Sequence, residues 1–236
     1  MNMRKLLRVF VLTYLLIFDV GAYANCGDVR NTSGAEIIEG ISNGKIKQLV
    51  ACGLHIDEEI LINSEKLTPL QFAASLGKPN IVEQVLKAGA NPNYGGGGDI
   101  ILYPLELALA SKKYEAAKVL VKNKAHANYK LPHSGMTALM TIAFDSEIGR
   151  KTDLLMLLIS RGAEVNDVDN KGNTPLHWAA RLGNIGYVRA LMGSKADKCA
   201  KNYKGQRPID VATNGSSEFG ELLVGVCGGA INVVPK

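Results

Sequence analysis

Short apolar blocks recur along the chain, each closed by a small or polar run. Ile46 to Val50, Val85-Leu86 and Leu154 to Ile159 are such blocks. They lead into Gly53-Leu54-His55-Ile56-Asp57, Gly89-Ala90-Asn91-Pro92-Asn93 and Gly162-Ala163-Glu164-Val165-Asn166. Lys124-Ala125-His126-Ala127-Asn128 and Lys195-Ala196-Asp197-Lys198-Cys199 are degenerate copies of that closing run. A second landmark runs in phase with the first. Residues 174–180 read Thr-Pro-Leu-His-Trp-Ala-Ala, and residues 68–74 read Thr-Pro-Leu-Gln-Phe-Ala-Ala. Weaker versions begin at Tyr103, Thr137 and Arg207. With the second residue as origin, the copies fall at 69, 104, 138, 175 and 208, steps of 35, 34, 37 and 33. A fixed period of this size signals stacked structural repeats. The closing run at 53–57 implies a sixth, N-terminal unit.

Each landmark carries a physical meaning. Thr before Pro places a capping hydroxyl at a helix start, with Pro at the first helical position, where its missing N–H costs nothing. The Ala pair lets a neighbouring helix approach closely. The apolar block is the inner face of a second helix, and the Gly after it takes the left-handed conformation that ends the helix. The Asn that follows suits a turn. One such unit cannot bury its own apolar face, so stacking on its neighbours supplies the stability.

These residues resemble the ankyrin repeat family over about residues 35–224. The resemblance implies an all-α fold: an ankyrin-repeat solenoid of helix-turn-helix units with short hairpin connections, about five to six repeats. They would lie near 35–63, 64–98, 99–132, 133–169, 170–202 and 203–227, as a single domain over 25–236. Departures from the pattern are informative. Lys124 and Lys195 replace the helix-ending Gly and should carry a left-handed cost of about 1 kcal/mol each. Cys199 stands where Asn belongs. The spacing from Ala143 to Leu158 implies about four extra residues between two helices, near Asp145 to Asp153. The run Gly95 to Gly98 lacks the Gly-Lys-Ser/Thr ending of a phosphate loop and is expected to be a hairpin extension.

Composition sharpens this picture. Tryptophan is single and Ala, Leu, Val and Ile dominate the apolar content, which favours small-residue helix packing. At the N-terminus, Arg4, Lys5 and Arg8 precede an apolar stretch from Val9 to Val20, and Ala22-Tyr23-Ala24 offers small residues around a spacer. Residues 1–24 are therefore expected to be a cleavable signal peptide, with an N-terminal membrane anchor as the alternative. Removing them leaves 24 basic against 21 acidic residues of the 27 and 22 in the chain. No strong basic patch is evident, so a nucleic-acid partner is not expected.

Cys26, Cys52, Cys199 and Cys227 form an even set, expected to be oxidised in an exported protein. If the repeats stack as the resemblance implies, the two ends lie roughly 40 Å apart, at 8–10 Å per repeat. A disulfide spans less than about 7 Å between Cα atoms, so Cys26–Cys52 and Cys199–Cys227 would be the pairs. Four buried thiols remain the alternative.

No catalytic constellation emerges. His55 and His126 are expected in hairpins far apart along the stack, while His177 occupies the family position where His holds the turn. Glu58-Glu59 reads as a solvated face. No metal site, cofactor or enzyme activity is expected. In ankyrin stacks the hairpin tips and the exposed side of the first helices contact partners. By resemblance the positions are Leu67, Leu76, Tyr94, Tyr103, His133, Met136, Phe144, Asn170, Lys171, Asn173, Arg181, Leu182, Tyr203, Lys204 and Gln206. Lys171, Arg181 and Tyr203 are expected to form one patch.

The function implied is that of an exported, periplasmic or secreted protein-binding module. It would be a monomer on its own, without a membrane span after signal cleavage. An immunity protein against a secreted toxic effector is one such role. A chaperone or scaffold for an envelope enzyme is an alternative. An enzyme using the 145–153 insertion or the Gly95–Gly98 loop is the competing class.

Overall fold

The computed structural model describes residues 34–62, 65–97, 101–145, 152–213 and 217–223. The signal-peptide segment, Cys26, Cys227, Gly98 and residues 146–151 of the inserted stretch lie outside them. Among the described residues, five helix pairs follow one another, and a sixth unit is made of a 3-10 turn and one helix. They are α1 (Gly34–Ser42) with α2 (Ile46–Ala51), α3 (Pro69–Leu76) with α4 (Pro79–Lys87), and α5 (Pro104–Ala110) with α6 (Tyr114–Lys122). Next come α7 (Ala138–Thr141), continued by a 3-10 turn at Ile142–Phe144, with α8 (Thr152–Ser160), and α9 (Pro175–Arg181) with α10 (Ile185–Gly193). A 3-10 turn at Pro208–Val211 and α11 (Ser217–Leu223) close the series. First helices pack on first helices, α3 on α5, α5 on α7 and α7 on α9, while second helices form a parallel row, α2–α4–α6–α8.

Cap chemistry explains where the helices begin. The Thr68 hydroxyl accepts from the Gln71 amide at 3.2 Å, and the Gln71 side chain accepts from the Thr68 N–H at 2.6 Å. Thr174 and His177 repeat this box at α9. Thr137 does not, and its buried hydroxyl has no hydrogen-bond partner. Helix ends use left-handed residues as expected: Gly53, Gly89 and Gly162 have φ of 99°, 98° and 96°. Lys124 and Lys195 adopt φ of 68° and 66° at the matching positions. Lys112, at φ 58°, does the same after α5, where other units carry Gly77 or Gly183.

One continuous core runs along the stack. The Ala pairs Ala73-Ala74 and Ala179-Ala180 are fully covered, which lets the neighbouring first helix approach. Tyr187 is wholly buried and donates its hydroxyl to the Leu139 carbonyl at 2.8 Å. The Asn of the closing run has a larger role than the turn expected of it. Asn93 accepts from the His126 amide at 2.7 Å and donates to the Lys124 carbonyl at 3.1 Å. Asn128 accepts from the Glu164 amide, and Asn166 from the Asp197 amide at 2.7 Å. Each ties its own turn to the next unit.

Three details add to the expected fold. The first connection is a true antiparallel β-hairpin, β1 (Ile60–Ile62) and β2 (Glu65–Leu67), with Ile60 opposite Leu67. Glu59 is not merely solvated, because its carboxylate accepts from the Gly97 amide and anchors the glycine run. The start of the inserted stretch is pinned, since the Asn184 side chain donates to the carbonyls of Ala143 and Asp145.

Candidate partner-binding face

The turns between units and the exposed sides of the first helices form one face, and the fifth and sixth units define its most connected region. The turn ahead of α9 is organised by buried Asp169. Its carboxylate accepts from the amides of Lys171 and Asn173, each at 2.8 Å, and from the Trp178 indole at 3.0 Å. Asn202 has the equivalent role in the next unit, accepting from the amides of Lys204 and Gln206 at 3.0 Å. The two turns are fastened together. The Tyr203 amide donates to the Lys171 carbonyl at 3.1 Å, and the Asn202 side chain donates to Asn173 at 3.0 Å.

Upon this frame lie half-buried and exposed groups. The Arg181 guanidinium stands 5.2 Å from the Trp178 ring centroid and reaches Asn173 at 3.5 Å. Phe144 also packs against Trp178, with centroids 5.4 Å apart. Tyr203 lies beside Gly172, where any Cβ would strike its ring, yet it is 75% exposed. Lys171 and Lys204 are exposed near it. The structure thus brings Lys171, Arg181 and Tyr203 onto one framework, held by Asn173 and Asn202.

His177 secures the framework from below. Its Nδ1 accepts from the Thr174 amide at 3.2 Å, so Nε2 carries the proton and donates to the Gln206 carbonyl at 2.9 Å. Burial, the largest influence, pushes its pKa below the ordinary histidine value, in keeping with a neutral ring. Gln71 makes the corresponding bond, to the Leu102 carbonyl at 2.6 Å. Glu106 holds this position in the third unit. Its carboxylate accepts from the hydroxyls of Tyr129 and Thr141, and burial raises its pKa to about 7.

A second concavity lies between the turns of the second and third units. It is an open cleft of about 360 Å³ lined by Pro92, Asn93, Tyr103, Leu105, His126, Tyr129 and Lys130. Tyr103 and Tyr129 pack with centroids 5.3 Å apart.

Two expected contact residues are corrected. Leu67 is 4% exposed because it faces Ile60 on the inward side of the β-hairpin. Asn173 is 1% exposed because its amide is consumed inside the framework. Leu76, Tyr103, Met136, Phe144, Arg181 and Gln206 are half-buried, while Tyr94, His133, Asn170, Lys171, Leu182, Tyr203 and Lys204 are exposed. Sequence reasoning missed Trp178 and Tyr129. Trp178 occupies the site that Phe72 fills in the second unit, a repetition of large aromatics that could have marked it. Among the described residues no group of three or more His, Cys, Asp or Glu is placed to hold a metal ion. No described helix is long and apolar enough to cross a membrane.

Among the described residues, five stacked helical hairpins and a closing 3-10 turn with its helix, sharing an organised rim, define a repeat solenoid. A family profile described as "Ankyrin repeats (3 copies)" matches residues 105–202 and 147–234, and one for the single ankyrin repeat matches 65–96. The chain belongs to the ankyrin repeat family. It is similar to neurogenic locus notch homolog protein 1 of Homo sapiens, 28% identical over 145 residues, 61% of this chain and 5% of the relative. The Xenopus tropicalis homologue is 27% identical over 186 residues, 79% of this chain and 7% of the relative. Protein lin-12 of Caenorhabditis elegans is 28% identical over 179 residues, 71% of this chain and 12% of the relative. The matched region is thus a small fraction of each of these relatives.

Proposed function

We propose that this protein is a non-enzymatic binding module that recognises a protein partner through its turns and first helices. The observation that carries this is the framework of the fifth and sixth units. Buried Asp169, Asn173, Asn202 and His177 spend their polar atoms on rigidity, and the groups left outward are Lys171, Leu182, Tyr203 and Lys204, with Arg181 half-buried beside them. Tyr and Arg are enriched where interfaces concentrate their binding energy, and a preorganised backbone lowers the entropy cost of docking.

The expected signal peptide and the even cysteine set support an exported location, periplasmic or secreted. There the partner would be a secreted effector, which the module blocks as an immunity protein, or an envelope enzyme that it shields as a chaperone or scaffold. Among the described residues no cysteine is a free thiol: Cys52 and Cys199 are both disulfide-bonded. An oxidising compartment suits that state.

Affinity capture from periplasmic extract, followed by identification of the bound protein, tests the proposal. Replacing Lys171, Arg181 and Tyr203 together by Ala should abolish capture while shifting Tm by no more than a few degrees, as for surface changes. Undiminished capture by the triple variant would place the binding face elsewhere.

A further inference from the structure

Positive charge is not spread evenly along the stack. Residues 171–207 hold eight Lys and Arg against one acidic residue, Asp197, whereas the rest of the chain holds 19 against 21. The whole basic excess thus belongs to the fifth unit and the turn that follows it, a local patch that the overall balance conceals.

The fold aims some of this charge at the face described above. Lys171, Lys201 and Lys204 are exposed around Tyr203, and Arg181 lies over Trp178. Among the described residues, nearby carboxylates do not neutralise them. Asp169 is buried and occupied by two amides and the Trp178 indole. Asp210 is engaged by Arg207 at 3.1 Å. The patch is therefore cationic at its edges and apolar at its centre, where Tyr203 offers its ring to solvent.

We propose that this surface docks a short acidic polypeptide segment that carries an apolar or aromatic side chain. The proposal rests on the protein-binding function above and names the chemistry of what is bound. Carboxylates would meet the lysines, and the apolar side chain would lie against Tyr203 and the Arg181–Trp178 stack. Size favours a segment over an extended polyanion. Two adjacent units span roughly 20 Å at the spacing of packed helices. Beyond them the balance turns slightly negative, which opposes a nucleic acid or an anionic bilayer.

Trp178 is the only tryptophan in the chain, so its emission reports occupancy of this surface directly. The full chain would be titrated with a synthetic peptide of Glu and Asp around a central Phe. A Lys-substituted version of the peptide, phosphatidylglycerol vesicles and an oligothymidylate would serve as comparisons. A saturable emission change with the acidic peptide is expected, weakening at least about tenfold as salt rises from about 0.05 to 0.3 M. Lys171→Glu with Lys204→Glu should weaken it at least about tenfold while leaving the circular dichroism unchanged. Equal binding of the Lys peptide, a response to vesicles or oligonucleotide alone, or salt-independent binding to the unaltered chain would overturn the proposal. Natural partner capture separates the two ideas. If the Glu variant still captures the partner but the triple Ala variant does not, the acidic segment is wrong and the binding face stands.

Discussion

At the scale of single residues, Glu106 is a costly choice. It holds the position filled by His177 and Gln71 in other units, but it is buried and its carboxylate faces the hydroxyls of Tyr129 and Thr141. Desolvation raises its pKa from 4.5 to about 7, so the folded chain holds this proton more tightly than the unfolded chain. The penalty therefore grows as pH rises from 4.5 to 7, and above 7 it is complete, on the order of 3 kcal/mol. Glu106→Gln keeps an acceptor for both hydroxyls and removes the charge. Its Tm should fall less than that of the unaltered chain between pH 5 and 8, and a parallel fall would refute the account. His177 acts in the opposite direction: its pKa is lowered by burial, so its contribution is lost as pH drops below 6.5. That acid-side loss should be common to both proteins. Thr137 offers a second test, because its hydroxyl is buried with no partner. Thr137→Val should be neutral or stabilising, whereas Thr68→Ala should cost about 1 kcal/mol through its cap. Denaturant titration of both variants would show whether the two threonines differ.

At the scale of elements, the turns are the joints of the molecule. Caps mark where helices such as those at Pro69 and Pro175 begin, while Asn93, Asn128 and Asn166 fasten each turn to the next. Asn166 spans two groups, accepting from Asp197 and donating to Lys195 at 3.4 Å, while Asn128 makes one such bond at 3.2 Å. Asn166→Ala should therefore cost about 1–2 kcal/mol and Asn128→Ala less, measured by urea unfolding. The reverse order would mean that these bonds do not govern the joint. Cys199 stands where the series would next place Asn. The closing unit begins after it with a 3-10 turn rather than a full first helix, and Cys199 is linked covalently instead.

For the whole molecule, stability comes from nearest-neighbour contacts along one axis, so the two ends have half the support of the middle. Disulfides placed there would remove entropy from the unfolded chain where fraying begins. Their loops would give roughly 3–4 kcal/mol each in the loop-entropy account. Non-reducing mass spectrometry is expected to find Cys26–Cys52 and Cys199–Cys227. An end-to-end linkage would contradict the stack. Reduction should raise amide exchange first in α1–α2 and α11, leaving α5 and α6 protected. Uniform loss would show instead that the whole chain unfolds as one unit.

The repeat period, the Thr-Pro starts and the left-handed helix ends were legible in the sequence because each depends on a few neighbouring residues. Even the unusual left-handed Lys124 and Lys195 followed from register alone. The exposed Lys171, Tyr203 and Lys204 were found in the same way, from their place in a turn. Leu67 and Asn173 were misjudged, and Trp178 and Glu106 were missed, for one shared reason. Whether a side chain on a turn or first helix is covered depends on the adjoining unit, a full period of 33–37 residues away. Local patterns fix what each hairpin is, but only stacking decides which of its side chains remain for a partner.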